Sequence, residues 1–172
     1  MMSDNLPNQC TIKKEVALTG VGLHTGKNVT LTFKPAPVNT GYIFKRIDMD
    51  GEPCIAADAN YVTNTQRGTN LEKDGVTIQT SEHVLAALVG LQVDNCILEL
   101  NASEPPIMDG SSKSFVEAIE KAGIVSQDAV REEYVVTEII NYIDQETGSE
   151  ITILPSETYQ LTTMVDFGTK VL

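Results

Sequence analysis

Apolar and polar positions alternate at period two through much of the first eighty residues. Residues 29–33 (VTLTF) give the clearest alternation and predict a half-buried strand. Residues 9–18 alternate more roughly and run into Thr19-Gly20-Val21-Gly22, so they too read as strand. Pro35 and Pro37 are expected to break the strand before them. Residues 41–47 (GYIFKRI) predict a third strand, and residues 55–59 and 68–71 carry weaker signals. Asp74-Gly75 is a hairpin dipeptide, with residues 76–79 as the returning strand.

The periodicity then becomes helical. Residues 81–89 place Val84, Leu85, Ala87 and Leu88 at apolar positions. Thr80 and Ser81 are both plausible N-caps, Glu82 lies in the first turn, and Gly90 is the expected stop. Residues 93–100 (VDNCILEL) return to strand, and Pro105-Pro106 makes residues 104–108 a loop. Asp109-Gly110-Ser111-Ser112 supplies a turn and a cap. Phe115, Val116, Ile119 and Ala122 share one helical face, and Gly123 ends that helix.

After Val125 the chain turns polar, and residues 126–132 read as a linker. Strand signals restart over residues 134–143, 149–154 and 159–167. The order strand, proline, turn, strand in EITILPSETYQLTTMVDF echoes VTLTFKPAPVNTGYIFKRID near the start. The expectation is an α+β chain. Residues 1–125 form a complete two-layer domain, a β-sheet packed against two helices. Residues 133–172 are the initial strands of a second, similar domain that stops before its helices, as a truncation would leave it.

Composition narrows the function classes. The chain has 172 residues with 12 Lys+Arg against 24 Asp+Glu, a net charge of −12, which argues against a nucleic-acid binder. With 41% hydrophobic residues a packed core is affordable at this length, and disorder is not expected. No apolar run is long enough to span a membrane and no signal peptide is visible at the start. Cys10, Cys54 and Cys96 are widely spaced with no CxxC pair, which suits a reduced, cytoplasmic protein in which each is a small buried hydrophobe, Cys96 above all. There are only two histidines, His24 and His83, so a histidine-based metal site needs carboxylates or cysteines to complete it.

Three segments carry candidate chemistry. Thr80-Ser81-Glu82-His83 sets a carboxylate beside an imidazole at a helix start; a neutral imidazole can bind Zn²⁺ and a nearby carboxylate can take a proton from water. The bland alternative is a surface Glu and a satisfied His, and the HExxH pattern is absent. Gly20-Val21-Gly22-Leu23-His24-Thr25-Gly26 is not GxGxxG; it is either a hairpin connection or a loop aimed at a ligand, with His24 a turn residue or a cleft-facing group. Pro105-Pro106-Ile107-Met108-Asp109-Gly110-Ser111 reads as a rigid loop in which Asp109 satisfies backbone N–H groups, or supports the neighbouring site from behind.

In combination, TGVGLHTGKNVTLTFKPAPVNTGYIFKR, TSEHVLAAL and DNCILELNASEPPIMDGS resemble the UDP-3-O-acyl-N-acetylglucosamine deacetylase family, from about Cys10 to the end of the chain. These are zinc amidases of lipid A synthesis in Gram-negative bacteria. The resemblance implies two similar domains with the zinc site between them. It implies that His83 is a zinc ligand, Glu82 the general base, His24 a residue near the substrate cleft, and Asp109 structural support. It implies UDP-3-O-acyl-N-acetylglucosamine as substrate and a loop near it at residues 66–71. Some members are fused to a hydroxyacyl-carrier-protein dehydratase.

The departures are as informative. The family's other two zinc ligands, in an HKxxDxxGD-type motif, and a second-domain histidine have no counterpart here. The isolated chain is therefore expected to be inactive, its zinc position unoccupied, and its strands beyond 133 free to self-associate. The rival reading is a non-catalytic nucleotide-sugar-binding or interaction domain.

Overall fold

A computed structural model describes residues 7–165. The chain divides into two compact units, residues 1–131 and 132–172. In the first unit, β2 (Val16–Val21), β3 (Asn28–Pro35), β4 (Tyr42–Arg46), β5 (Cys54–Ala56) and β9 (Cys96–Leu100) form a five-stranded sheet in the order β2-β3-β9-β4-β5. Only the β4–β9 pair is parallel. A three-stranded meander, β6 (Val62–Asn64), β7 (Asn70–Lys73) and β8 (Val76–Ile78), and a ribbon of β1 (Asn8–Ile12) with β10 (Ile124–Val130) are the other strands of this unit among the described residues. The fold is α+β, as expected.

The period-two pattern explains which face is buried. Val29, Leu31 and Phe33 of β3, Cys96, Leu98 and Leu100 of β9, and Phe44 of β4 all point into one core. Two helices bring the rest of that core: α1 (Glu82–Gly90) through Val84, Ala87 and Leu88, and α2 (Lys113–Ala122) through Phe115, Ile119 and Ala122. The Phe33 and Phe115 rings meet at 6.3 Å. On the opposite face of the sheet Glu99 takes Lys34 at 2.7 Å and Lys45 at 3.7 Å across neighbouring strands.

Several boundaries differ from the sequence reading. Residues 9–18 are not one strand but β1 and β2, separated by a bend. Pro35 is the last residue of β3 and not its breaker, because its missing N–H falls at the end of the ladder. Helix α1 runs through Gly90, and the reversal comes at Gln92, φ 55, with Val93 N–H donating to Leu88 O and Gln92 N–H to Val89 O. That is a Schellman closure in which burial of Val93 outweighs the preference for glycine. Asp74 and Gly75, φ 50 and 79, make the expected left-handed hairpin turn.

The polar stretch 126–132 is not a linker through most of its length: it is β10 as far as Val130 and pairs with β1. Its polar side chains are used inside the fold. The buried Asn95 amide donates to Gln9 Oε1 and Gln127 Oε1, both at 2.8 Å, while its Oδ1 accepts from Thr40 N and Gly41 N at 2.8 and 2.9 Å. Gln127 also donates to Ala36 O. The next residue beyond the ribbon, Arg131, clasps Asp94 with Nε and Nη2.

The second unit contains a hairpin of β11 (Ile140–Ile143) and β12 (Glu150–Ile153), whose residues are exposed on both faces. The expected strand from 134 thus begins at 140, and residues 159–165 form none; the remainder of that expected strand, 166–167, lies outside the described residues.

Candidate active site

The entry to α1 is built without an ordinary cap. Thr80 sits at φ 52 and Ser81 is helical, so neither side chain caps the helix as expected. The Ser81 hydroxyl donates instead to Thr69 O at 2.9 Å, and Ser81 N–H to the same carbonyl at 3.1 Å. This pulls the loop at residues 65–69 against the first turn of α1. Thr69 N–H then donates to Glu82 Oε2 at 2.8 Å, and Gly68 lies so close that a Cβ there would stand 3.2 Å from Glu82 Oε1. The second carboxylate oxygen, Oε1, faces His83 Nε2 at 3.8 Å. Both side chains are partly exposed, so the carboxylate and the imidazole form an accessible pair.

His24 lies on the connection between β2 and β3, which closes through Gly26 N–H to Gly22 O and Gly22 N–H to Lys27 O. The glycine-rich stretch is therefore a hairpin connection. His24 Nε2 meets Arg67 O at 3.1 Å, and His24, Gln66, Arg67, Asn70 and Gln79 line a polar cavity of about 220 Å³. His24 and the Glu82–His83 pair are thus joined through the loop 67–69. Asp109 is exposed and accepts from Ser111 N–H and Oγ at 3.0 and 2.8 Å, which holds its carboxyl below the usual carboxylate range. That turn leads into α2, where Ser112 Oγ donates to His83 O at 2.9 Å. Asp109 itself bonds Ser111, one residue before Ser112, and is not among the residues that line the cavity.

The residue missed by sequence reading is Glu104. It is completely buried and accepts from His24 N–H, Thr25 N–H and Thr80 Oγ1. Burial pushes its carboxyl up, but the hydrogen bonds from Thr25, His24 and Thr80 outweigh that, and the net shift is downward. Its one signal in the sequence was a charge set just before two prolines that bury.

The donor set tests whether a metal fits. Among the described residues no group of three or more His, Cys, Asp and Glu side chains could hold an ion. His83 offers one imidazole nitrogen, which is one donor of the four a tetrahedral zinc needs. A closed metal site is thus not present in the described residues. Among the cysteines, Cys96 is buried as expected, whereas Cys10 is half-buried and Cys54 exposed because it begins the edge strand β5.

Comparison with known proteins adds the family context. The profile of the LpxC family, UDP-3-O-acyl N-acetylglycosamine deacetylase, matches residues 9–172. The chain is 48% identical over 162 residues to a protein of Chlorobaculum tepidum named bifunctional enzyme LpxC/FabZ, covering 94% of this chain and 35% of that one. It is 44% identical to the protein of the same name in Bacteroides thetaiotaomicron, covering 95% and 36%. It is 45% identical to the UDP-3-O-acyl-N-acetylglucosamine deacetylase of Chromohalobacter salexigens, covering 92% and 52%. The chain therefore spans about a third to a half of the length of these relatives.

Proposed function

The chain belongs to the UDP-3-O-acyl N-acetylglycosamine deacetylase family, and on that premise we propose that its parent protein hydrolyses the N-acetyl group of UDP-3-O-acyl-N-acetylglucosamine in lipid A synthesis, in the cytoplasm of a Gram-negative bacterium. The observation that carries this reading is the Glu82–His83 pair, held accessible at the start of α1 with one carboxylate oxygen committed and the other open. Glu82 Oε2 is engaged by Thr69 N–H, so Oε1 is the atom left to receive a proton from the attacking water. The water's oxygen bonds to the acetyl carbon, the C–N bond breaks, the amine takes up a proton, and acetate leaves. Among the described residues His83 is the donor that would hold zinc, and the ion, with donors from elsewhere, would supply Lewis acidity to the carbonyl. His24 lines the cavity on the far side of the loop and is assigned to substrate contact.

On this reading residues from 133 onward belong to a second, related domain that includes β11 and β12. The likeness to LpxC/FabZ proteins supports a parent that carries a fused dehydratase. No helix among the described residues is long and apolar enough to cross a membrane. The 172-residue chain alone is expected to be inactive, since one imidazole cannot close a zinc site. The exposed Tyr142, Ile151 and Ile153 support self-association of the isolated chain, which size exclusion across concentration would register. The function is tested by incubating zinc-loaded full-length protein with UDP-3-O-acyl-N-acetylglucosamine and measuring free 2-amine. Amine release is the expected result. Tight substrate binding without release would favour the non-catalytic binding module.

A further inference from the structure

One buried carboxylate connects three stretches of chain that are distant in sequence. Glu104 has no exposed surface. Its Oε1 accepts from Thr80 Oγ1 at 3.0 Å, its Oε2 from Thr25 N–H at 2.9 Å, and His24 N–H points between the two at 3.1 Å from each. All three donors are neutral. A buried carboxylate is unfavourable unless such donors surround it, so the charge and the conformation of its donors require one another. Two of them are consecutive backbone N–H groups, and together they fix the peptide planes on either side of His24. The third belongs to Thr80, the residue held at φ 52 immediately before Ser81-Glu82-His83.

The neighbouring glycine shows how closely the loop is fitted to this group. A Cβ at Gly22 would stand 2.6 Å from Glu104 Oε2 and 2.4 Å from Thr25 Oγ1, both closer than real Cβ atoms come. The loop can wrap the carboxylate only because residue 22 has no side chain. On the other side, Ile107 N–H donates to Val21 O at 2.9 Å, so the segment that follows Glu104 is tied to the same loop.

We propose that Glu104 is a positioning residue that locks the His24 loop and the turn into α1 in one register, so that His24 and the Glu82–His83 pair present a fixed geometry to substrate. Its catalytic consequence rests on the deacetylase reading; the lock itself does not. In the 172-residue chain, amide exchange followed by NMR reads the lock directly. Glu104→Gln keeps the volume and removes the charge and one acceptor. The expected result is at least tenfold faster exchange at the His24 and Thr25 amides, with the core Leu98 amide unchanged within twofold. Unchanged His24 and Thr25 exchange, or parallel acceleration at Leu98, overturns the proposal. Where Glu104→Gln fails to fold, Thr80→Ala removes one donor alone and is expected to speed the same two amides several-fold; no change overturns the lock.

In zinc-loaded full-length protein, Glu104→Gln is expected to lower kcat at least tenfold with KM shifted less than threefold. Combined with His24→Ala, it is expected to lose less than the product of the two single effects. A purely multiplicative loss, or an unchanged kcat, overturns positioning. If wild-type protein releases no amine, the deacetylase reading falls while the exchange measurement still decides the lock.

Discussion

Replacing Gly68 by alanine tests how the loop at 65–69 holds Glu82. Gly68 sits at φ 152, a region that side-chain-bearing residues rarely enter, and placing alanine there costs about 1–3 kcal/mol in backbone strain. The new Cβ would stand 3.2 Å from Glu82 Oε1 and 3.4 Å from both Thr80 Cα and Thr80 Oγ1. Thr80 is itself held at φ 52 and cannot retreat, so the carboxylate must swing and loosen its 2.8 Å bond from Thr69 N–H. That bond joins a charged acceptor to the backbone, but the Glu82 side chain is 38% exposed and water replaces much of it, so its loss adds about 1 kcal/mol. The sum is about 2–4 kcal/mol of lost stability, read as roughly 3–4 °C in Tm for each kcal/mol at this chain size. Gly75→Ala is the control: φ is 79 and nothing lies within 4 Å, so only the backbone term of about 1–2 kcal/mol remains. Urea unfolding followed by far-ultraviolet circular dichroism measures both. Equal losses for the two variants, or a loss under about 0.5 kcal/mol for Gly68→Ala, would refute the contact with Glu82.

Three further outcomes follow from the same structure. Asn95→Ala strands two backbone N–H groups, Thr40 and Gly41, and the Oε1 of Gln127, and removes one of the bonds to Gln9 Oε1, so unfolding free energy is expected to fall by about 3–5 kcal/mol; a change under about 1 kcal/mol in denaturant titration would show that water replaces the amide. The Glu104 carboxyl is held below its ordinary 4.5 and Asp48, bonded by Arg46, below 3.8; each contributes stability that is present above its ordinary value and lost as pH falls through its folded value. Stability is therefore expected to drop below about pH 4.5, less steeply in Glu104→Gln, and equal slopes would contradict this. Burial pushes the Cys96 thiol up to about 12, so a thiol reagent at pH 8 should label exposed Cys54 first and Cys96 only on unfolding; comparable labelling rates would contradict the burial of Cys96.

The elements that were legible in the sequence are those whose pattern is local. VTLTF, CILEL and the Phe115–Ile119–Ala122 face state their own burial at period two or period 3.6, and Asp74-Gly75 states its own turn. What was hidden depends on residues far apart in the chain. The stretch 126–132 reads as solvent-facing until Gln127 is seen beside Asn95 and Ala36. The start of α1 looks like an ordinary cap until Thr69 and Glu104 are seen to claim Ser81 and Thr80. Glu82 and His83 stand out as neighbours in sequence, whereas Glu104 acquires its meaning only from donors 24 to 80 residues away.

The most direct measurement of the central claim is amine release by full-length, zinc-loaded protein carrying Glu82→Gln. The amide keeps the side chain's size and can still accept from Thr69 N–H, but it cannot take a proton from water. Zinc content and substrate binding are expected to match wild type while kcat falls by about 10²–10⁴. A kcat within threefold of wild type would remove Glu82 as the base and, with it, the mechanism proposed for this site.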